Sequence, residues 1–219
     1  MNSRDIGGYK IGNSISKKGV IFRSGSLTGI EKSDINKMLA EGIDTVIDLR
    51  SPTAKKREID PTSLDSRFLY LPFRMQSGER LPYSRMEAIE IYRQMYTSKE
   101  EIKPIMLAVA SASKSVLIHC SAGKDRTGVI ISLLQYIIGL ALEEINAEYL
   151  LSYDDIEPHV HHLREMGIRL SPVYYQKDAT FLPAVFLALK NEFKSKEAYF
   201  SYLGLDEALL DALKRKGLI

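Results

Sequence analysis

The sequence is poor in the residues that would define several protein classes. It has one cysteine, no tryptophan and only four histidines among 219 residues. A single thiol excludes a disulfide framework within the chain and is typical of proteins from a reducing compartment. The formal net charge is only +2, so no basic excess indicates a nucleic-acid partner, and none is expected.

Long apolar runs are also missing. The most apolar stretch, residues 129–142, is interrupted by Ser132, Gln135 and Gly139, and it is shorter than the ~20 residues that span a bilayer. We therefore expect no transmembrane segment. The N-terminal segment contains no apolar core of the kind found in secretory signals. This predicts a cytoplasmic protein, although a form processed after export would have the same sequence.

Short β-branched runs alternate with helical patterns in the first half of the chain. We predict strands at residues 20–22, 45–47, 68–73 and 115–118. Ser33 is predicted to cap a helix that Gly42 ends. Two S-x-x-E boxes, Ser84 with Glu87 and Ser98 with Glu101, are predicted to open two more helices, and Pro104 starts or kinks the second.

Helical patterns follow one another through the second half. We predict helices at residues 127–138, 142–153, 157–166 and 181–193, and a last one that Asp206 caps and Gly217 ends. The length favours one domain over residues 1–219. Strands alternating with helices predict an α/β fold, with a central sheet flanked by helices and a helical C-terminal half.

The only cysteine lies in the segment HCSAGKDRTG, residues 119–128. Cys120 and Arg126 are separated by five residues, between a buried-type strand and a helix. A loop in this position is able to turn its backbone N–H groups around one tetrahedral anion, and the helix N-terminus adds positive potential. Gly123 permits the turn, and the Arg126 guanidinium matches two phosphate oxygens. The same field stabilises a thiolate, so Cys120 is predicted to be a nucleophile.

Two other interpretations of this segment are weaker. A cysteine that merely ends a buried strand would not require Gly, Lys, Arg and Gly at these spacings. A nucleotide-binding loop, G-x-x-x-x-G-K-[ST], would need glycine at Ile118 and a hydroxyl at Asp125. The arrangement therefore indicates a cysteine nucleophile inside a phosphate-binding loop.

HCSAGKDRTG resembles the signature loop of the cysteine-dependent protein tyrosine phosphatase superfamily. Its GKDRTG portion is similar to the bacterial tyrosine phosphatase branch, some of whose members also hydrolyse phosphoinositides. Other segments resemble that family in order: RDIGGY at 4–9, IFRSGSL at 21–27, VIDLRS at 46–51 and YFSYLGLDEALLDALKR at 199–215. The resemblance covers the whole chain. It implies a protein-tyrosine-phosphatase-like sheet and a phosphatase for phosphotyrosine, with phosphoserine, phosphothreonine and phosphoinositides as further substrates.

The resemblance also implies a mechanism without metal or cofactor. Cys120 attacks phosphorus to form a cysteinyl-phosphate, which water hydrolyses. The implied phosphate-binding residues are Ser121, Ala122, Gly123, Lys124, Asp125 and Arg126. His119 and Thr127 are supporting residues, and the Thr127 hydroxyl is expected to bond the sulfur.

Two other functions remain open at this point. A dedicated lipid phosphatase is one, although Ser121 is uncharged where phosphoinositide-specific relatives often have a second basic residue. A non-catalytic module that recognises phosphorylated partners is the other, and the intact Cys120, Gly123 and Arg126 weigh against it.

The proton donor is not defined by the loop. The family's usual Trp-Pro-Asp segment is missing because the chain has no tryptophan. Asp125, within the loop, and Asp48, at a strand end, are the two candidates. Each has a structural alternative: Asp125 pairs with loop N–H groups or a basic neighbour, and Asp48 forms a salt bridge with Arg50 or Arg23.

Other features have two interpretations each. Lys124 contacts a second phosphate or is simply solvated. Residues 74–96 form a lid over the site or a helix facing the core. His159 and His162 share a helical face, with His161 turned away, and no carboxylate or thiol at useful spacing completes a metal site with them. In RDIGGY, Gly7 or Gly8 is expected to have a positive φ, with Asp5 in a structural role.

Overall fold

A five-stranded sheet forms the centre of the protein in the computed structural model, which describes residues 2–217. Five of the strands form this sheet: β1 (Arg4–Asp5), β4 (Ile21–Ser24), β5 (Ile43–Asp48), β6 (Leu69–Pro72) and β7 (Ser115–His119). The other two, β2 (Lys10–Ile11) and β3 (Ser14–Ile15), form a separate hairpin. The sheet order is β1-β4-β7-β5-β6, and only β1 is antiparallel to its neighbour.

The register brings the ends of three parallel strands to one edge. His119, the last residue of β7, pairs with Ser24 of β4 on one side and with Asp48 of β5 on the other. Because parallel strands all point the same way, the loops that follow β4, β5 and β7 meet at this edge. Cys120 is the first residue beyond it.

Eleven helices surround the sheet within the described residues. They are α1 (Lys32–Ala40), α2 (Pro52–Arg57), α3 (Arg85–Thr97), α4 (Lys99–Ser111), α5 (Asp125–Ile138), α6 (Leu142–Leu150), α7 (Glu157–Glu165), α8 (Pro172–Tyr175), α9 (Phe181–Phe193), α10 (Lys196–Tyr202) and α11 (Glu207–Gly217). Short 3₁₀ turns occur at Pro61–Leu64, Ser77–Glu79 and Leu151–Tyr153. None of the helices within residues 2–217 combines the length and apolarity needed to cross a bilayer.

The central strands are buried on both faces. Val116 and Ile118 of β7 join the larger apolar cluster, which also contains residues of α3, α4, α5 and α9. Leu117, between them, joins the smaller cluster with Phe22 and Met38 of α1. Successive side chains of a strand point to opposite faces, so a covered sheet needs the continuous apolar run found here. The prediction of an α/β fold with a helical C-terminal half is confirmed.

Helix starts differ from the sequence-based prediction in two places. The first helix starts at Lys32, and the Asp34 carboxylate accepts a hydrogen bond from the Glu31 N–H at 3.2 Å, so Glu31 rather than Ser33 is the N-cap residue. The helix after the cysteine loop starts at Asp125 instead of residue 127. Asp125 and Arg126 therefore lie in the first turn of α5, where helical geometry fixes their side-chain directions.

The two S-x-x-E boxes behave differently. The Ser84 hydroxyl accepts the Glu87 N–H at 3.2 Å and caps α3. Ser98 precedes α4 but its side chain makes no capping bond, and α4 runs through Pro104 without ending there. Only the first box therefore supplies a side-chain cap.

This contrast gives a matched pair of variants for a stability measurement. Ser84→Ala removes an acceptor for a helix-end N–H and should lower the free energy of unfolding by about 1 kcal/mol. Ser98→Ala removes no such bond and should leave the free energy of unfolding nearly unchanged. Urea denaturation of both variants checks this, and equal losses for the two serines would contradict the assignment.

Candidate active site

Cys120 lines a cavity of about 270 Å³ at the edge where the parallel strands end. The cysteine is 2% exposed and is the free thiol of the chain. Arg126 and Asp125, from the first turn of α5, line the same cavity. The other walls come from residues 78–82, from α3 and from α7 and α8. Five rings line it as well: Tyr92, Tyr149, Tyr153, Tyr174 and Phe181.

The loop after Cys120 has a row of unused hydrogen-bond donors. None of the backbone N–H groups from Ser121 to Arg126 donates a hydrogen bond to any of residues 2–217. An ordinary helix leaves only its first few N–H groups unpaired, and buried N–H groups are nearly always bonded. Ala122 and Lys124 are buried, so this row is suited to an anion with several oxygens.

Gly123 allows the loop to turn. Its φ is +71°, and a Cβ there would lie 2.5 Å from the Ser24 carbonyl oxygen. The loop after β4 also holds the cysteine loop directly, since the Ser26 N–H donates to the Ser121 carbonyl at 2.9 Å. No other residue type fits at position 123 without shifting the backbone.

A buried ion pair supports the loop from below. The Arg23 guanidinium donates to the Gly123 carbonyl and pairs with Glu148 of α6 at 2.7 Å. Arg4 pairs with the other Glu148 oxygen at 2.8 Å. Arg23 therefore pairs with Glu148 and not with Asp48. The segments RDIGGY and IFRSGSL contain Arg4 and Arg23. Glu148 lies in the helix predicted at residues 142–153 but in none of the segments that carry the family resemblance.

Arg126 is held by protein groups on two sides. Its guanidinium donates to the Leu49 carbonyl at 3.2 Å and to the Ser121 hydroxyl at 3.3 Å. Gly78 lies against its aliphatic part, because a Cβ at Gly78 would be 2.5 Å from Arg126 Cγ. Residues 74–96 were expected to form either a lid over the site or a helix facing the core, and both descriptions apply. Residues 78–82 line the cavity, whereas α3 buries Tyr96 and its neighbours in the core.

Asp125 is anchored through one carboxylate oxygen. The Tyr92 hydroxyl donates to Oδ1 at 2.5 Å, and Lys124 Nζ lies 3.2 Å from the same oxygen. Burial raises the pKa of Tyr92 well above its usual value, so this hydroxyl stays protonated and donates. Tyr149 bonds Tyr92 at 2.7 Å and packs against Gly128. Oδ2 accepts no hydrogen bond from residues 2–217, and the side chain remains 20% exposed.

Lys124 is not solvated, and protein groups surround its ammonium. It is 2% exposed, and Nζ donates to the Tyr174 carbonyl at 2.5 Å. The ammonium also lies 4.6 Å from the centroid of Tyr153 and 4.7 Å from that of Tyr174. The solvated-lysine interpretation was wrong because the aromatic rings and the carbonyl come from distant segments and replace water around the ammonium.

Asp48 lies in a buried ion pair and does not line the cavity. Arg50 donates to Asp48 from Nε at 3.1 Å and from its terminal nitrogen at 2.9 Å, and the Tyr70 hydroxyl adds a bond at 2.5 Å. Burial alone would raise the pKa of Asp48, but the Arg50 bonds and the nearby His119 hold it at about 2. Of the two partners considered, Arg50 is the one that pairs with it.

His119 adjoins this ion pair directly behind the nucleophile. Its Nε2 lies 3.2 Å from Asp60 Oδ2 and 3.8 Å from Asp48 Oδ1, and all three side chains are fully buried. Two carboxylates and an imidazole could in principle ligate a cation. However, Arg50 already occupies both oxygens of Asp48 and lies 3.7 Å from Asp60. The guanidinium therefore supplies the positive charge that a metal ion would provide.

Thr127 does not bond the cysteine. Its hydroxyl is fully buried and has no hydrogen-bond partner among residues 2–217. Because α5 begins earlier than predicted, Thr127 lies inside the first turn and the helix sets the direction of its side chain. The expected bond to the sulfur is absent in this structure.

The predicted histidine face is confirmed. His159 and His162 of α7 both line the cavity, while His161 is exposed and lies 3.1 Å from Glu165. The turn in RDIGGY is also as expected: Gly8 has a φ of +91°, and Asp5 accepts the Gly7 and Gly19 N–H groups at 2.8 and 2.6 Å.

A buried thiol, a fixed guanidinium and a row of backbone N–H groups without acceptors among residues 2–217 lie together at the edge where the parallel strands end. The chain belongs to the tyrosine phosphatase family, whose model matches residues 1–218. The resemblance identified from the loop is thereby confirmed.

Known proteins with similar sequences bear tyrosine phosphatase names. A Cupriavidus necator protein named as a tyrosine-protein phosphatase is 32% identical over 165 residues, 69% of this chain and 60% of that protein. The chain thus spans less than two thirds of that relative. A tyrosine-protein phosphatase of Nostoc commune is 27% identical over 211 residues, 88% of this chain and 72% of that protein. The Mycobacterium tuberculosis triple specificity protein phosphatase PtpB is 35% identical over 97 residues, 43% and 33% of the two chains.

Among solved structures, the core catalytic domain of the S. cerevisiae PP-IP phosphatase SIW14 is also similar. It has a TM-score of 0.41 at 17% identity, covering 88% of this chain and 93% of that domain.

The Asp48–Arg50 pair should make stability depend on pH. The pKa of Asp48 in the folded protein is about 2, below its usual value of 3.8. The stabilisation by the ionised carboxylate is therefore complete above the pKa of the unfolded state and disappears as pH falls through the pKa of the folded state. The stability difference between wild type and Asp48→Asn should therefore shrink by about 2 kcal/mol on going from neutral pH to pH ~2. Urea denaturation across this range measures it.

Asp65→Asn is the matched control for this measurement. Asp65 also pairs with an arginine, Arg67, at 2.6 Å, and hydrogen bonds from Arg67 lower the pKa of Asp65 to about 2 as well. This pair lies at the surface, however, where solvent screens it and little of the pKa shift contributes to stability. A pH dependence as large for Asp65→Asn as for Asp48→Asn would contradict the role given to burial.

Proposed function

We propose that the protein hydrolyses the phosphate monoester of phosphotyrosine through a cysteinyl-phosphate intermediate. The observation that carries this proposal is the row of unpaired N–H groups from Ser121 to Arg126 around the Cys120 thiol. Such a row is suited to the equatorial oxygens of a phosphoryl group, whose negative charge grows in the transition state. The Arg126 guanidinium adds two parallel donors.

The reaction proceeds in two displacements. In the first, the Cys120 thiolate attacks phosphorus, the P–O ester bond breaks, and its electron pair leaves on the ester oxygen, which takes a proton. In the second, water attacks the phosphocysteine, the P–S bond breaks, and the thiolate is restored while water gives up a proton. The loop N–H groups and Arg126 hold the phosphoryl oxygens through both steps.

Asp125 is the proposed donor of that first proton and acceptor of the second. Its Oδ1 is held by Tyr92 and by Lys124, which leaves Oδ2 available in the cavity. Asp48 is outside the cavity, and its two oxygens are already bonded to Arg50. We therefore assign Asp48 a structural role beneath the loop.

The shape and lining of the cavity support an aryl phosphate as the main substrate. Its five aromatic rings suit a phenyl ring, which gains from edge and face contacts with other rings. Phosphoserine, phosphothreonine and phosphoinositides remain proposed further substrates, as the triple specificity named for the M. tuberculosis relative would allow. Burial of Lys124 weighs against a dedicated lipid phosphatase, because this cation is committed to α8.

Two further proposals concern the chain as a whole. Residues 1–219 are proposed to form one catalytic domain, supported by a core cluster that joins Ile6 to Leu213. We also place the protein in the cytoplasm. A lone thiol that must stay reduced to act as a nucleophile supports this location.

The nucleophile is tested by Cys120→Ser. A hydroxyl is hardly ionised in this loop, so turnover of p-nitrophenyl phosphate should fall far below about one tenth of the wild-type rate. Binding of phosphate, followed by calorimetry, should persist because the N–H row is unchanged. Retained turnover would refute the covalent mechanism, and loss of phosphate binding would refute the proposed cradle.

The proton donor is tested by comparing substrates with good and poor leaving groups. A good leaving group departs without a proton, so Asp125→Asn should reduce kcat/KM for phosphotyrosine by about tenfold or more beyond its effect on an activated aryl phosphate. The basic limb of its pH–rate profile should also flatten.

Asp48→Asn is the control for that comparison. It should affect both substrates alike, because its carboxylate serves the fold. If Asp48→Asn shows the leaving-group dependence and Asp125→Asn does not, the two roles are reversed.

A further inference from the structure

Two imidazoles of α7 stand in the wall of the cavity without protein partners. His159 and His162 are three residues apart and share one face of the helix, and both line the cavity that contains Cys120 and Arg126. His159 is partly buried and His162 is exposed. Neither ring forms a hydrogen bond or an ion pair with any of residues 2–217, whereas His161, on the opposite face, is paired with Glu165.

The other charged groups of the cavity already have partners. Arg57 pairs with Glu58 at 2.7 Å, at the end of α2. In the 78–82 segment and beside it, Glu79 pairs with Arg74, and Arg80 pairs with Glu87. On the loop side, Lys124 is held by Asp125 and by the Tyr174 carbonyl, and Arg126 is assigned to the reacting phosphoryl group. The two histidines are therefore the uncommitted groups on this wall that are able to become cationic.

The surroundings of His159 disfavour its cationic form when no anion is bound. Burial lowers its pKa from 6.5, Arg126 and His162 lower it as well, and Asp125 and Glu58 act in the opposite direction. An anion placed beside the ring would favour the imidazolium, because opposite charges at short range raise a histidine pKa. Binding of such an anion should therefore strengthen as pH falls through the histidine range.

We propose that His159 and His162 form a second anion subsite, which takes an acidic group that the substrate carries in addition to the phosphate bound by Cys120 and Arg126. The group is a phosphate or a carboxylate attached to the same small molecule or peptide segment. This inference rests on the proposed function, since it takes the cysteine loop as the site of the first phosphate. It makes the two histidines specificity determinants and gives them no part in bond breaking.

The proposal is tested by binding of alkyl phosphonates, which the enzyme does not hydrolyse. A series of α,ω-bisphosphonates of increasing chain length is compared with alkyl monophosphonates of the same lengths, in the presence of EDTA, by calorimetry on the full chain. A parallel series of ω-carboxyalkyl phosphonates distinguishes a carboxylate from a phosphate as the second group.

At one chain length near pH 6, the doubly anionic ligand should bind wild type about tenfold more tightly than its monophosphonate, as expected for a charged hydrogen bond. The ratio should shrink near pH 8, because burial lowers the pKa of His159 and disfavours its cationic form there. In the double variant that combines His159→Gln with His162→Gln, the ratio should fall toward unity. In His162→Gln alone it should fall to an intermediate value, and the fold should be unaffected because His162 is exposed. His161→Gln, on the other face of α7, should retain the wild-type ratio.

A ratio that survives in the double variant, or that shows no dependence on pH, overturns the subsite. A ratio lost equally in His161→Gln also overturns it, because the effect would then belong to the charge of α7 as a whole. Failure of the proposed function would look different. If wild type bound the ligands with the expected ratio but did not hydrolyse p-nitrophenyl phosphate, the phosphatase proposal would be refuted and the subsite would stand.

Discussion

Six backbone N–H groups that find no acceptor among residues 2–217 form the constraint on which the rest of this structure depends. Leaving even one buried donor unpaired costs about 1–3 kcal/mol, so a loop with this geometry would rearrange if nothing held it. Arg23, fixed by Glu148, holds the Gly123 carbonyl, and the Ser26 N–H holds the Ser121 carbonyl. Removing Glu148 would leave a buried guanidinium uncompensated, at a cost of about 3–5 kcal/mol. Contacts on its opposite side thus hold the loop in the shape for which anion binding is proposed.

The two aspartates show how environment separates groups of identical chemistry. Asp48 and Asp125 lie near the same sheet edge, one at the end of β5 and the other at the start of α5. Asp48 is enclosed, and Arg50 keeps it ionised. Asp125 borders the cavity, and within the described part of the chain only its Oδ1 has hydrogen-bond or ion-pair partners. Divergent surroundings of paired carboxylates are a common way to divide structural and chemical roles.

The local features of the fold and site were predictable from sequence, and the long-range ones were not. The strands, most helices and the phosphate loop follow from short patterns, in which hydrophobic period and glycine position act over a few residues. Glu148 reaches Arg23 across more than a hundred positions, and no local pattern marks that pair. Lys124 looks like a surface lysine until Tyr153 and Tyr174 are packed around it. The start of the first helix was missed for a local reason, because the capping box uses Glu31 and Asp34, carboxylates where the prediction looked for a hydroxyl.

The position of the thiol has a practical consequence. Cys120 is the one cysteine of the chain, and with 2% of its surface exposed it is reached through the cavity. A thiol-reactive reagent therefore labels this chain at a single position, without background from other sulfhydryl groups. The labelling rate depends on the reactivity of this thiol and on the access that the cavity, lined by residues 78–82, α7 and α8, gives to a small molecule. Access of small molecules to Cys120 is therefore measurable on the native sequence, with no introduced cysteine.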